Sequence, residues 1–149
     1  MTIEHVLVPI DFSEYSDHAL DYAITFARPL QARLTLLHVI ESFPVSGVDV
    51  VTLPPDYFLE LEMAANRQMQ SLLARVTTAG LKGEGVVVHG TPFRVITETA
   101  KERQVDLIIM GTHGRTGLRH LLLGSVAERV VRLAPCPVLV VPTPADTAT

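Results

Sequence analysis

"VDLIIMGTHGRTGLRHLLLGSVAERV", residues 105–130, passes from a solid apolar run, through a loop holding three glycines, into a segment of helical periodicity. An apolar run this short, closed by glycine, predicts a strand buried on both faces, as in parallel sheets. Beyond the loop, Val126, Val130, Leu133 and Ala134 recur at three- and four-residue spacing, which predicts a helix beginning near Gly124-Ser125. A strand that feeds a helix through a glycine loop is the building unit of an α/β fold.

The rest of the chain repeats this unit. Further apolar runs occur at "HVLVPI" (5–10), "RLTLLHVI" (33–40), "GVVVHG" (85–90) and "PVLVV" (137–141). The first gap holds a helix starting at Ser13 or Ser16, its stripe including Ala19, Ala23, Phe26 and Leu30. The second holds a long connection over 41–55, then a helix from Tyr57 to Ala79. That helix keeps Phe58, Leu61, Ala65, Met69, Leu72 and Val76 on one face, with Met63 a further core filler and Gly80 as its stop. A third helix runs from Pro92 to about Arg103. Alternation of this kind predicts an open parallel sheet with helices on both faces, Rossmann-like. Residues 1–142 are expected to form one domain, and 143–149 a disordered tail.

Composition narrows the function classes. Of 149 residues 48% are apolar and 19% charged, the balance of a globular chain with a real core. A net charge of −4 argues against nucleic-acid binding. No apolar run approaches the roughly 18 residues of a membrane span. The opening "MTIEHVLVPIDFSE" does not read as a signal peptide, so a cytoplasmic location is expected. The single cysteine, Cys136 between two prolines, excludes an intramolecular disulfide and reads as structural. The histidines lack the spacing of a metal site, and His38 and His89 read as strand residues without a ligand role.

In a sheet of this type ligands bind at the carboxyl ends of the strands, near the point where strand order reverses. That rule selects Asp11, Val39 to Glu41, and Gly111 onward. Gly111, Gly114 and Gly124, spaced by two and nine residues, would let backbone N–H groups approach a ligand, and the helix start at Gly124-Ser125 would face an anion. Ser125 adds a hydroxyl; His113 and Arg115 could add charge. The P-loop and the G-x-G-x-x-G signature are both missing. These residues alone leave two readings open, a phosphate cradle and a plain structural loop. Asp11 is likewise either a ligand residue or a helix cap. Arg119 and His120 read as outer loop surface, and Leu121 to Leu123 as a spacer that packs down or faces a partner.

The stretches "VLVPIDFSEYSDHAL" and "LTLLHV", with the segment from His89 to Val141, closely resemble the universal stress protein family. The pattern G-x2-G-x9-G-[ST], met by Gly111, Gly114, Gly124 and Ser125, resembles that of its ATP-binding branch. The resemblance implies a sheet in order 3-2-1-4-5 and a site for ATP, AMP or another adenine nucleotide across the ends of strands one and four. Pro9, Ile10 and Asp11 would meet the adenosine and the backbone at Val39 the adenine. Met110 would lead into a cradle of Gly111, Gly114, Gly124, Ser125 and Val126, rimmed by His113 and Arg115. Mg or Mn would arrive with the phosphates. Pro137, Val138, Leu139, Val140 and Val141 would pair with their counterparts in a homodimer. The implied function is a nucleotide-dependent regulatory module in stress response, acting on an unknown protein partner, with no nucleic acid and no membrane insertion. The alternatives are a slow ATPase or phosphotransferase, for which His113 is the one nearby base, and a nucleotide-free dimeric interaction protein.

Overall fold

The structure, a computed structural model, describes residues 1–41, 54–114 and 122–143. Arg115, Arg119, His120 and Leu121, most of the 41–55 connection, and the tail beyond Thr143 lie outside the described residues. Strands and helices alternate along the chain: β1 (His5–Pro9), α1 (Glu14–Ala27), β2 (Arg33–Glu41), α2 (Tyr57–Thr78), β3 (Gly83–Gly90), α3 (Pro92–Glu102), β4 (Leu107–Gly111), α4 (Ser125–Leu133) and β5 (Val138–Val141). The five strands form one parallel sheet in the order β3-β2-β1-β4-β5. This is the order the resemblance implied. After β3 the chain crosses back to add β4 on the far side of β1, so strand order reverses between β1 and β4.

Alternate strand residues serve opposite faces. Val6, Val8, Leu34, Leu36 and Ile109 join Ala19, Leu20 and Ala23 of α1 and Met69 and Val76 of α2. Leu7, Leu37, Ile108 and Met110 join Ile96 and Ala100 of α3 and Ala127 and Val130 of α4. The sheet is therefore covered on both faces, two helices to each. Leu7, Leu20, Leu34, Leu36 and Leu37 are almost fully buried, each contributing about 1.5–3 kcal/mol.

Three helices leave their last turn by the same device. Gln31, Gly80 and Gln104 have φ of 51°, 80° and 52°, in the left-handed region. After them the amides of Ala32, Leu81 and Val105 bond back to the carbonyls of Ala27, Val76 and Ala100, and those three residues are buried. Each exit thus has the Schellman form, and β2, β3 or β4 begins within two residues of it. Gly80 is where the sequence placed a stop; the two glutamines carried no such signal.

Some expected core positions are on the surface. Leu30 is exposed because α1 ends at Ala27 and Leu30 falls in the turn. Phe58, Leu61 and Met63 are exposed too, and the buried residues of α2 are Ala65, Met69 and Val76. The 22 residues of α2 run about 33 Å, whereas the eight of β3, which it packs against, run about 26 Å. The first turns of α2 meet only the outer edge of the sheet, where Phe58 touches His89 of β3 edge-on with ring centroids 5.9 Å apart, so periodicity predicted the stripe but not where its cover ends. Thr143, expected in the tail, is buried.

Candidate functional site

The reversal point between β1 and β4 brings together residues more than a hundred positions apart. After β1, Ile10 is buried and its amide bonds the Leu37 carbonyl, so the chain follows β2 for one more residue. It then turns sharply at Phe12, whose φ of 63° is left-handed. The Phe12 ring lies 4.5 Å from that of His38. His38 donates from Nδ1 to the Ile10 carbonyl at 2.7 Å, which makes it a structural residue of this turn.

The turn fixes Asp11. Its Oδ1 accepts from the Ser13 amide at 3.0 Å and from the Ser13 hydroxyl at 2.5 Å. Ser13 is the N-cap of α1, its Oγ accepting from the Ser16 amide. Asp11 is therefore not the helix cap but the group that orients it. The other carboxylate oxygen faces Gly114: a Cβ built on Gly114 would lie 2.7 Å from Asp11 Oδ2.

On the β4 side, Met110, Gly111, Thr112 and His113 are buried and Gly114 half-buried. The Thr112 carbonyl accepts from the Gly124 amide at 2.7 Å, drawing the two sides of the loop together. Gly124 also packs against His113, where an added Cβ would stand 3.2 Å from Cα. Gly111 is pressed on α1, an added Cβ falling 2.9 Å from the Tyr15 carbonyl oxygen. All three glycines thus stand at close approaches within the protein, tightest against backbone at Gly111, a reason additional to any ligand. His113 stacks obliquely on Tyr15 with ring centroids 5.4 Å apart, and its Nδ1 lies 3.1 Å from Thr112 Oγ1.

Gly124 is the N-cap of α4 and provides no side-chain cap. The first intrahelical bond runs from the Glu128 amide to the Gly124 carbonyl, so the amides of Ser125, Val126 and Ala127 precede the helical ladder. Such a terminus presents donors and positive dipole to an anion. Ser125 is exposed there, and Val126 is half-buried against the α3–α4 core.

The geometry gathers Asp11, Gly114, His113, Gly124 and Ser125 at one corner of the sheet, with Pro9, Ile10, Met110 and Gly111 as the strand ends leading to it. Val39 stands one strand further out, on β2, paired with Val88. Among the described residues no cluster of three histidine, cysteine or carboxylate side chains is placed to hold a metal. Sequence reasoning passed over Thr112, whose carbonyl joins the loop ends and gives no sequence signal. It passed over Tyr15 too, whose buried hydroxyl has no hydrogen-bond partner among the described residues.

The sequence profile of the universal stress protein family matches residues 2–142. The chain belongs to the universal stress protein family. The universal stress protein YxiE of Bacillus subtilis is 34% identical, over 91% of this chain and 97% of that one. Among solved structures, the protein MJ0577 of Methanocaldococcus jannaschii superposes with a TM-score of 0.85 at 33% identity, covering 96% of this chain and 98% of its own. A universal stress protein of Archaeoglobus fulgidus, solved in complex with dAMP, shares the fold with a TM-score of 0.65 at 23% identity, covering 94% and 98%. No helix among the described residues is long and apolar enough to cross a membrane.

Proposed function

We propose that this chain is an adenine-nucleotide-binding regulatory module, with ATP as its ligand, held across the carboxyl ends of β1 and β4. The observation that carries the reading is the convergence of two groups. The Asp11 carboxylate faces Gly114, and Gly124, against His113 and Thr112, begins a helix whose first amides lack a side-chain cap. A carboxylate accepts from ribose hydroxyls or an amino group; uncapped amides and the Ser125 hydroxyl donate to phosphate oxygens. Pro9, Ile10 and the backbone at Val39 would border the adenosine, and Met110, Gly111, His113, Arg115 and Val126 the remainder of the site. That the fold accommodates an adenine nucleotide is seen in the A. fulgidus protein solved with dAMP. A divalent ion would be carried by the phosphates, not by a protein cluster. The module works in the cytoplasm as a homodimer paired through Pro137 and the edge strand β5, and nucleotide occupancy sets the surface offered to a regulatory partner.

Hydrolysis ranks second. The base it would recruit, His113, is buried and turned against Tyr15 and Thr112, not placed to orient a water. The nucleotide-free reading ranks third, because the glycine pattern is complete. Mass spectrometry of gently purified protein for bound nucleotide, with calorimetric titration of ATP and AMP, tests the proposal. Saturable binding, weakened at least about tenfold in Gly124→Val, is expected. Absence of bound nucleotide together with no saturable binding would sink it. Timed production of ADP or AMP, lost in Gly114→Asp, would raise the enzyme above the binding module.

A further inference from the structure

At the opposite end of the sheet, where β1, β2 and β3 begin, lies an open cavity of about 290 Å³. Its lining includes His5, Arg33, Thr35, Lys82, Glu84 and Arg103. The strand register sets two of its cations side by side: the Arg33 amide bonds the Glu4 carbonyl, and the Leu34 amide bonds the Lys82 carbonyl. His5 and Thr35, both more than nine-tenths buried, form the floor.

The hydrogen bonds decide what the floor offers. A guanidinium has donors only, so Arg33 Nη2, 3.2 Å from His5 Nδ1, must donate to it. Nδ1 is then unprotonated and the ring proton sits on Nε2, which donates to Thr35 Oγ1 at 2.7 Å. With that lone pair engaged, the Thr35 hydroxyl keeps its own proton to donate. Burial, and then the charge of Arg33, lower the His5 pKa below its ordinary value, against opposing pulls from the Arg103 backbone and the Asp106 carboxylate. Glu84, the carboxylate of the lining, is engaged by Arg103. Within the lining three cations face one carboxylate; Asp106, just outside it and accepting from the Glu4 and His5 amides, offsets part of this excess, so the lining is net cationic in a chain whose net charge is −4. The remaining donors are the Thr35 hydroxyl, the Lys82 ammonium and the outer guanidinium N–H groups, with no spare carboxylate among them.

We propose that this cavity is a second ligand site, taking a small organic dianion such as a phosphate monoester or a dicarboxylate. Its volume of about 290 Å³ falls just short of the roughly 300 Å³ at which drug-sized sites begin, which restricts it to a small ligand. Its concavity, with one buried hydroxyl at the base, suits a compact ligand better than a polyanionic surface. The site is independent of the nucleotide at the far end of the sheet.

The test is a backbone-amide NMR titration of the full chain at pH 7.5. Sodium phosphate and sodium succinate are the two probes, each compared with sodium chloride at equal ionic strength. Saturable shifts at His5, Arg33, Thr35, Lys82 and Gly83 are expected with at least one dianion. Saturation by phosphate alone assigns the phosphate class, and by succinate alone the dicarboxylate class. The double variant Arg33→Gln/Lys82→Gln should weaken binding at least about tenfold. Lys101→Gln, an exposed change of like charge on α3, should leave it unaltered. Three results overturn the proposal: chloride reproducing the shifts, saturation only at Gly111, Gly114 and Gly124, or wild-type affinity in the double variant. Because both replaced side chains are exposed, retained spectral dispersion is expected in that variant; should it unfold, the single Lys82→Gln change supplies the comparison, and wild-type affinity there overturns the proposal equally.

Discussion

Alanine at position 114 would put its Cβ 2.7 Å from Asp11 Oδ2, where ordinary contact begins at 3.4 Å. The carboxylate would have to retreat by about 0.7 Å. Asp11 is held through Oδ1 by the Ser13 amide at 3.0 Å and the Ser13 hydroxyl at 2.5 Å. Swinging Oδ2 aside turns the whole carboxylate and pulls Oδ1 partly off both bonds. Charge-assisted bonds of this kind are worth roughly 1.5–3 kcal/mol, and weakening rather than breaking them should cost Gly114→Ala about 1–2 kcal/mol. For a chain of this length that is a fall in Tm of about 2–8 °C. The attribution to Asp11 is testable by a double-mutant cycle with Asp11→Ala, which removes the opposing oxygen. In that background Gly114→Ala should be nearly neutral, giving a coupling of about 1–2 kcal/mol by urea denaturation. Additive effects, within about 0.3–0.5 kcal/mol, would refute the reasoning, because the two residues would then not be in contact.

Other outcomes follow from the same geometry. Gly111→Ala brings Cβ against the backbone of Tyr15, which cannot swing aside as a side chain can, so a loss of about 2–3 kcal/mol is expected by chemical denaturation; unaltered stability would show that α1 does not press on β4 there. Ser13→Ala removes the α1 cap and one anchor of Asp11, and should cost about 1–2 kcal/mol while lowering affinity for ATP; a stability loss without any change in affinity would separate Asp11 from the ligand. The folded-state pKa of His5 lies below its value in the unfolded chain, so its contribution to stability is complete above pH 6.5 and declines as pH falls through and below that value. The stability gap between wild type and His5→Gln should therefore narrow from pH 7.5 to pH 5.5, and a gap independent of pH would contradict the assignment. Gln104→Gly relieves a left-handed φ of 52° and should raise stability by about 0.5–1 kcal/mol in thermal melts, whereas no gain would mean that the glutamine is held there without strain.

The strands were legible because a parallel sheet covered on both faces leaves short apolar runs that little else produces, and "HVLVPI" and "VDLIIM" are such runs. The corner where β1 meets β4 was legible for a related reason. Asp11 and the glycines follow strand ends directly, and doubly wound topology assigns ligands to such ends. Pattern could not say which atoms meet. The contact between Asp11 and Gly114 spans more than a hundred residues, and the Thr112 carbonyl acts through backbone that any residue would provide. The exposed start of α2 was hidden because Phe58 and Leu61 satisfy the helical period whether or not a sheet lies beneath them. The cationic cavity at the amino end had no sequence signature either, since Arg33, Lys82 and Arg103 each look like ordinary residues at element ends until the strand starts are aligned.

The three matching helix exits have a consequence for how this chain tolerates change in length. At Gln31, Gly80 and Gln104 the polypeptide passes from helix to strand in a fixed number of residues, and the residue after each is wedged into the core. One added residue at any of these points would turn that wedge outward and shift the following strand, exchanging its two faces. Grafted peptides, fused domains and new termini should therefore be refused along this whole side of the molecule. The three corners act as the fold's rulers: they fix where β2, β3 and β4 begin.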